Sequence, residues 1–201
     1  MYYSTTMSPK PFDRQTALEL LYKHTKNEGL RKHALAVEAV MRRFAQHFDE
    51  VDRENVWALA GLLHDMDWEE TKQQFEKHSL LAAKYLSDAG ASQEVIDAVK
   101  IHNYAHGITP TTPLEKVLYY VEELTGIVTA LALVHPQGID GVKTSSVIKK
   151  LKNKSFAAGV NREIVYAGPA VLNMTLEAIV DLVIEAMRGI KTELGLTKTP
   201  A

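Results

Sequence analysis

Cysteine is absent from the 201 residues, so neither a disulfide nor a thiolate ligand is available, and any metal ion must be held by imidazole and carboxylate. Such donors suit a hard or borderline ion. A charge excess is lacking as well. The formal net charge of -2 gives no general attraction to nucleic acid or acidic lipid, so no nucleic-acid polymer is expected as a partner outside a local basic cluster. No run of about 18 apolar residues is present, so no membrane span is expected. Met1 to Lys10 is polar and lacks the apolar stretch of a secretory signal, which makes the cytoplasm the expected compartment. There is no internal repeat, and no segment alternates cleanly over a strand length.

What remains is an ordinary globular composition, 46% hydrophobic and 24% charged, in a chain of a size that fits one core. Apolar residues recur at three- and four-residue spacing almost throughout, so the expected class is all-α. The expected organisation is a flexible N-terminal segment over 1–13, one helical domain over 14–190 and a flexible tail over 191–201. A first helix is predicted from Arg14 to Thr25. Gly29 separates it from a second, Arg31 to Phe48, on which His33, Val37, Val40 and Phe44 share one inward face. Asp52 is placed to cap a third, whose stretch Val56 to Leu63 is almost wholly apolar and therefore buried on every side.

Glu76 to Asp88 reads as a further helix, and Ser92 caps another that carries Val95, Ile96 and Val99 toward His102. Thr112, Pro113 and Glu115 combine a capping hydroxyl, an N1 proline and a capping-box glutamate, and the helix they open is expected to continue to about Val134. Beyond Lys116 its only charges are Glu122 and Glu123. His135 to Thr144 is a loop, Lys143 to Lys154 a lysine-bearing segment, and Pro169 is read as opening a final helix that ends near Gly189.

Metal chemistry without thiols needs several imidazoles and carboxylates converging on one point, and few positions qualify. His64 and Asp65 are adjacent and would diverge by about 100° on an ideal helix, so both can face one ion only where that helix ends. An inward histidine considered alone is more often a satisfied core residue. His33 gains weight from the doublet, because a buried aspartate is costly unless paired or metal-bound. His47 lies about 20 Å further along the same helix and cannot share the ion. His24, His47 and His135 are read as structural or solvent residues.

His33 within RKHALAVEAV, followed by His64 and Asp65 within GLLHDMDWE, resembles the HD-domain superfamily of metal-dependent phosphohydrolases over roughly Leu30 to Val134. The resemblance implies a single all-helical HD-type bundle that holds one or two divalent ions, drawn from Mn, Fe, Co, Ni, Zn or Mg. The ligands it implies are His33, His64, Asp65 and a distal carboxylate. By position that carboxylate is Glu122 in YYVEELTG, where aspartate would be the closer match, with Glu123 one residue away. His78 in EKHSLLAA and His102 in KIHNYAHG resemble the added histidines of relatives that bind a second ion, with Asp65 as the bridge; His106 ranks below them.

The activity implied is hydrolysis of a small phosphorylated compound such as a nucleotide, by hydroxide generated at the ion, with Asp65 as ligand and orienter. Asp67, Glu69 and Glu70 are candidates to protonate the leaving group, with nothing to choose among them. Lys143, Lys149 and Lys150, with Arg162 nearby, belong to the one dense basic stretch and are proposed to bind substrate phosphate. The oligomeric state is left open, a homodimer included. Two other readings also stay open: a catalytically silent metal- or nucleotide-binding regulatory module, and an iron-dependent oxygenase on the same scaffold.

Overall fold

A computed structural model describes residues 12–198, and among these no strand occurs. The main helices are α1 (Arg14–His24), α2 (Glu28–His47), α3 (Glu54–Leu63), the single turn α4 (Trp68–Thr71), α5 (Leu80–Asp88) and α6 (Gln93–His102). They are followed by α7 (Pro113–Val121), α8 (Glu123–Val134), α9 (Thr144–Leu151), α10 (Arg162–Leu172) and α11 (Leu176–Gly189). Side-chain oxygens close many of the helix starts, as orphan N–H groups there require. Asp13 accepts from Thr16, Asn27 from Leu30, Ser92 from Val95 and Thr175 from Ala178, and Thr112 with Glu115 forms the full capping box.

One hydrophobic cluster runs through the molecule, from Ala17 and Leu21 on α1 to Met187 on α11. At its centre lies α3, of which every residue from Trp57 to Leu63 is buried. Burial on all sides is what its unbroken apolar sequence predicts. Against it packs α2, presenting Ala34, Val37, Met41, Phe44 and Ala45 as a single inward stripe.

The α2–α3 contact is unusually close because Gly61 faces α2. A Cβ there would stand 2.7 Å from Met41 Cγ and 2.8 Å from the Val37 carbonyl oxygen. The missing side chain thus sets the distance between the helix that carries His33 and the one that ends at His64.

Several boundaries differ from those read in the sequence. Asp52 lies in a 3-10 turn, Val51–Arg53, and makes no side-chain cap to α3. The helix expected from Glu76 begins only at Leu80, because Ser79 adopts a left-handed conformation (φ 68) and His78 is extended. The long helix from Pro113 bends by 41° at Glu122, where the Thr125 hydroxyl donates to the Glu122 carbonyl at 2.8 Å. Such local hydroxyl bonding bends helices. Pro169 lies inside α10, which is capped by Asn161 and ends at left-handed Asn173, so the final helix starts at Leu176 instead.

The stretch expected as a flexible C-terminal tail carries buried Leu194 and Leu196, and the Leu196 carbonyl accepts the Ile139 N–H. Apolar burial therefore anchors residues 191–198. Residues 1–11 and 199–201, assigned to flexible ends, lie outside the described residues. No single described helix is long and apolar enough to cross a membrane, although α7 and α8 pass together as a bent pair by composition.

Gly61→Ala is expected to destabilise the protein by about 1–3 kcal/mol in denaturant unfolding, since overpacking a dense core forces side chains and backbone to shift. The same substitution is expected to weaken divalent-ion binding by separating α2 from α3, which titration calorimetry would detect.

Candidate metal centre

The end of α3 delivers the doublet. His64 continues the helical conformation as the C-cap, and the chain then leaves through a turn, which lets adjacent His64 and Asp65 point at one volume. From α2, His33 brings its Nε2 to 3.2 Å from that of His64. The bend between α7 and α8 directs Glu122 at the same place: its Oε2 is 3.6 Å from His33 Nε2 and 4.0 Å from His64 Nε2.

Asp65 divides its two oxygens. Oδ2 lies 3.6 Å from His33 Nε2 and 3.5 Å from His64 Nε2, while Oδ1 lies 3.1 Å from His78 Nε2 and 3.4 Å from His102 Nε2. Possible donor atoms of His33, His64 and Glu122 fall within 4.8 Å of one another, and so do those of His64, Asp65 and His102. The cluster is buried and consistent with a divalent metal site.

A second observation concerns which ring nitrogens are free. His64 Nδ1–H donates to the Gly61 carbonyl at 2.8 Å, and His102 Nδ1–H donates to the Val99 carbonyl. His78 Nδ1–H donates to Asp67 Oδ1 at 2.8 Å. The Thr125 hydroxyl gives its proton to the Glu122 carbonyl, so its oxygen accepts from His33 Nδ1–H at 3.1 Å. In every neutral ring the Nδ1 side is therefore the donor and Nε2 faces inward, where that of His78 carries a proton toward Asp65 Oδ1 when no ion is bound. Lone pairs 3.2 Å apart repel unless a cation lies between them, and outer hydrogen bonds of this kind orient histidine ligands in metal sites. The donor set fits a divalent ion without thiolate.

Burial drives the His64 imidazole down to about 3, so it is neutral and available as a ligand. Burial raises Glu122 well above the usual carboxylate range, reinforced by Glu123 and Asp65. Asp65 is also penalised by burial, but the imidazoles around it outweigh that penalty and hold it well below its ordinary value. Burial opposes the charging of His78, yet its hydrogen bonds to Asp65 and Asp67 prevail and raise it to about 9. Without an ion, a proton on His78 does part of the work of neutralising Asp65.

Three residues that hold the ligands were not recognised in the sequence. Thr125 and Asn103 carry no signal in a single chain beyond a hydroxyl and an amide in the right neighbourhood. Asn103 donates from Nδ2 to the carbonyls of Phe75 and His78, both at 3.0 Å, so it fixes the turn that presents His78. Ser79, strained at positive φ, donates to the Lys100 carbonyl, and His106 Nε2 lies 2.9 Å from the His78 carbonyl oxygen. His106 thus supports the turn and is no part of the cluster. Backbone strain of this sort persists where surrounding contacts over-determine it.

Other expectations are corrected. Asp67 is fully buried, gripping His78 and the Ala82 N–H; Glu69 accepts from the Lys26 and Asn27 N–H groups; Glu70 meets His24 and Tyr85. None of the three faces the pocket above the cluster. That pocket, of about 220 Å³, is lined by every residue of the cluster except His64, together with Trp68, Phe75, Tyr104, Tyr119, Glu123, Gly159 and Ile164.

Lys143, Lys149 and Lys150 do not line it either: Lys143 precedes α9, Lys149 lines a separate groove with Glu177 and Asp181, and Lys150 sits over the Phe156 ring. Arg162 donates to the carbonyls of Leu151, Asn153, Phe156, Ala157 and Val160, which ties down the 152–161 loop. The amphipathic run of α9 and the carbonyl-rich loop account for these basic residues without substrate.

Ion binding must displace the His78 proton, so apparent affinity is expected to rise with pH until about 9 and level off above it, by up to about tenfold per unit for one proton. Calorimetry in buffers of different ionisation enthalpy would show proton release. In the metal-free protein the sign reverses. The raised His78 stabilises the fold fully below about 6.5, and that contribution is lost as pH climbs through about 9. Separately, Thr125→Val removes the acceptor for His33 Nδ1–H at nearly constant volume. It is expected to cost about 10–100-fold in ion affinity and, by leaving the His33 Nδ1–H without its acceptor, about 1–3 kcal/mol in unfolding, and Thr125→Ser is expected to recover most of both losses.

No curated protein and no solved structure shows a significant match to the chain. Residues 30–127 match the model of the HD domain family, a span that contains His33, His64, Asp65, His78, His102 and Glu122. The chain therefore carries an HD domain over residues 30–127, and the histidine–carboxylate cluster lies inside it.

Proposed function

We propose that the protein is a metal-dependent phosphohydrolase that cleaves a phosphoester bond of a small phosphorylated compound such as a nucleotide. The observation that carries this reading is the Asp65 carboxylate, one oxygen facing His33 and His64 and the other His78 and His102, in the lining of a pocket of about 220 Å³. His33, His64, Asp65 and Glu122 would hold one divalent ion, and Asp65 with His78 and His102 a second. When bound, such ions supply Lewis acidity, which acidifies water and polarises a phosphoryl oxygen.

The protein's own contribution is positional. Gly61, Val99, Thr125 and Asp67 fix the four rings through their Nδ1 atoms, so little reorganisation remains at the moment of reaction. Asp65 orients the reacting centre and is not the nucleophile. Trp68 and Phe75 wall the pocket on the α4 side and limit bulk water around the phosphoryl group. Glu122, longer by one methylene than the aspartate of the family pattern, still brings an oxygen within 3.6 Å of His33 Nε2, which supports its place among the ligands.

Protein stripped with chelator and reloaded with Mn, Co, Ni, Zn, Fe or Mg is expected to release phosphate from at least one small phosphoester, and chelator is expected to abolish the release. Asp65→Asn is expected to reduce turnover by more than about a hundredfold, since loss of an outer partner alone costs about 10–100-fold. Bound metal without turnover of any phosphoester, or oxygen uptake by an iron-loaded sample without phosphate release, would overturn the reading.

A further inference from the structure

The pocket above the cluster has an unusual balance of side chains for a phosphate site. No lysine or arginine lines it among the described residues, while it contains a carboxylate, Glu123, that takes no part in the imidazole cluster. Glu123 opens α8 immediately after the bend, and its carboxylate accepts from the Asn161 N–H. No Lys or Arg side chain forms an ion pair with it among the described residues, and the neighbouring Arg162 has its guanidinium donors taken up by loop carbonyls.

The remainder of the wall is aromatic. Trp68 meets Phe75 edge-on with ring centroids 6.0 Å apart, Phe75 meets Tyr104 at 5.3 Å, and Tyr119 lies one helical turn before Glu123. Nearly half of Tyr104 is exposed, which leaves its ring open at the pocket mouth.

These features solve a charge problem in one particular way. Ions at the cluster answer the phosphate, with Asp65 and Glu122 as their counter-charges, and Glu123 is then left as a carboxylate in the pocket wall with no ion pair of its own and no lysine or arginine beside it in the lining, among the described residues. A positively charged group on the substrate would complete it. Aromatic faces around a carboxylate are also the surroundings that desolvated ammonium groups favour, through attraction to the ring quadrupoles. A polyphosphate chain would meet the opposite situation, with its outer charges directed at an anion and at rings.

We infer that the preferred substrate is a phosphoester whose organic portion carries an ammonium group, recognised by Glu123 together with the aromatic wall of Trp68, Phe75, Tyr104 and Tyr119. The inference rests on the phosphohydrolase reading for the orientation of the substrate, phosphate down and amine up.

The test uses two phosphomonoesters that differ in one atom, phosphocholine and 3,3-dimethylbutyl phosphate, the second carrying carbon in place of the charged nitrogen. Binding to the full-length, metal-loaded protein is measured by calorimetry, and phosphate release is measured in parallel. Phosphocholine is expected to be favoured by about tenfold or more in Kd or KM, and Glu123→Gln is expected to bring that ratio toward one. Glu123→Asp, which keeps the charge, is expected to retain part of the preference, with circular dichroism reporting on the fold of both variants. Equal treatment of the two esters by the wild-type protein, or a preference that survives Glu123→Gln, would overturn the inference. The wild-type comparison decides this even where a variant fails to fold. Release of phosphate from the neutral ester without preference would sink the inference and leave the hydrolase reading standing. A Glu123-dependent binding preference with no phosphate released would do the reverse.

Discussion

Imidazole nitrogens whose lone pairs point at one another do not gather without help. The structure depends on overcoming that repulsion, with four Nε2 atoms and the oxygens of Asp65 and Glu122 crowded into one buried volume. Each ring is locked from behind by a hydrogen bond at Nδ1, and the four acceptors are of three kinds. A helix carbonyl serves His64 and His102, a buried carboxylate serves His78, and a hydroxyl at a helix bend serves His33. The surrounding burial keeps His64 unprotonated, and Asp65 provides the negative charge that any cation entering the cluster would meet.

Where the backbone departs from ideal geometry, it does so to serve this cluster. The close α2–α3 approach at Gly61 brings His33 to His64. The left-handed Ser79 breaks what would otherwise be a continuous helix and frees His78 to turn inward, with Asn103 and His106 catching the carbonyls that the break exposes. The bend at Glu122 presents that residue inward and sends Glu123 toward the pocket wall. Regular helix would have placed none of these groups correctly, which is the local conflict expected at a functional site.

The same departures explain what could and could not be read from the chain. Helical class, the buried character of α3 and the capping box at Thr112 follow from periodicity and local hydrogen-bonding chemistry, which are written in adjacent residues. The convergence of His33, His64 and Asp65 was implied by the resemblance to the HD domain, with the doublet at the end of an apolar helix in support. The break before Leu80 depends on a partner distant in sequence, Asn103, and the bend at Glu122 on a hydroxyl bond from Thr125 to the Glu122 carbonyl that a threonine in a helix does not announce by its type alone. Pro169 was read through its preference for helix starts, yet Asn161 and Thr175 were the caps that counted. The lysines of α9 clustered in sequence without converging in space, since a helix spreads neighbours around its axis and the loop after it turns Arg162 back onto backbone.

Gly159 and Ile164 line the pocket from outside the span that matches the HD domain, on a loop and helix tied together by the Arg162 guanidinium. Part of the cavity wall is thus supplied by a stretch of polypeptide separate from the one that holds the histidine–carboxylate cluster. Substitutions at Gly159 or Ile164 can therefore reshape one side of the cavity while leaving every residue of the cluster in place.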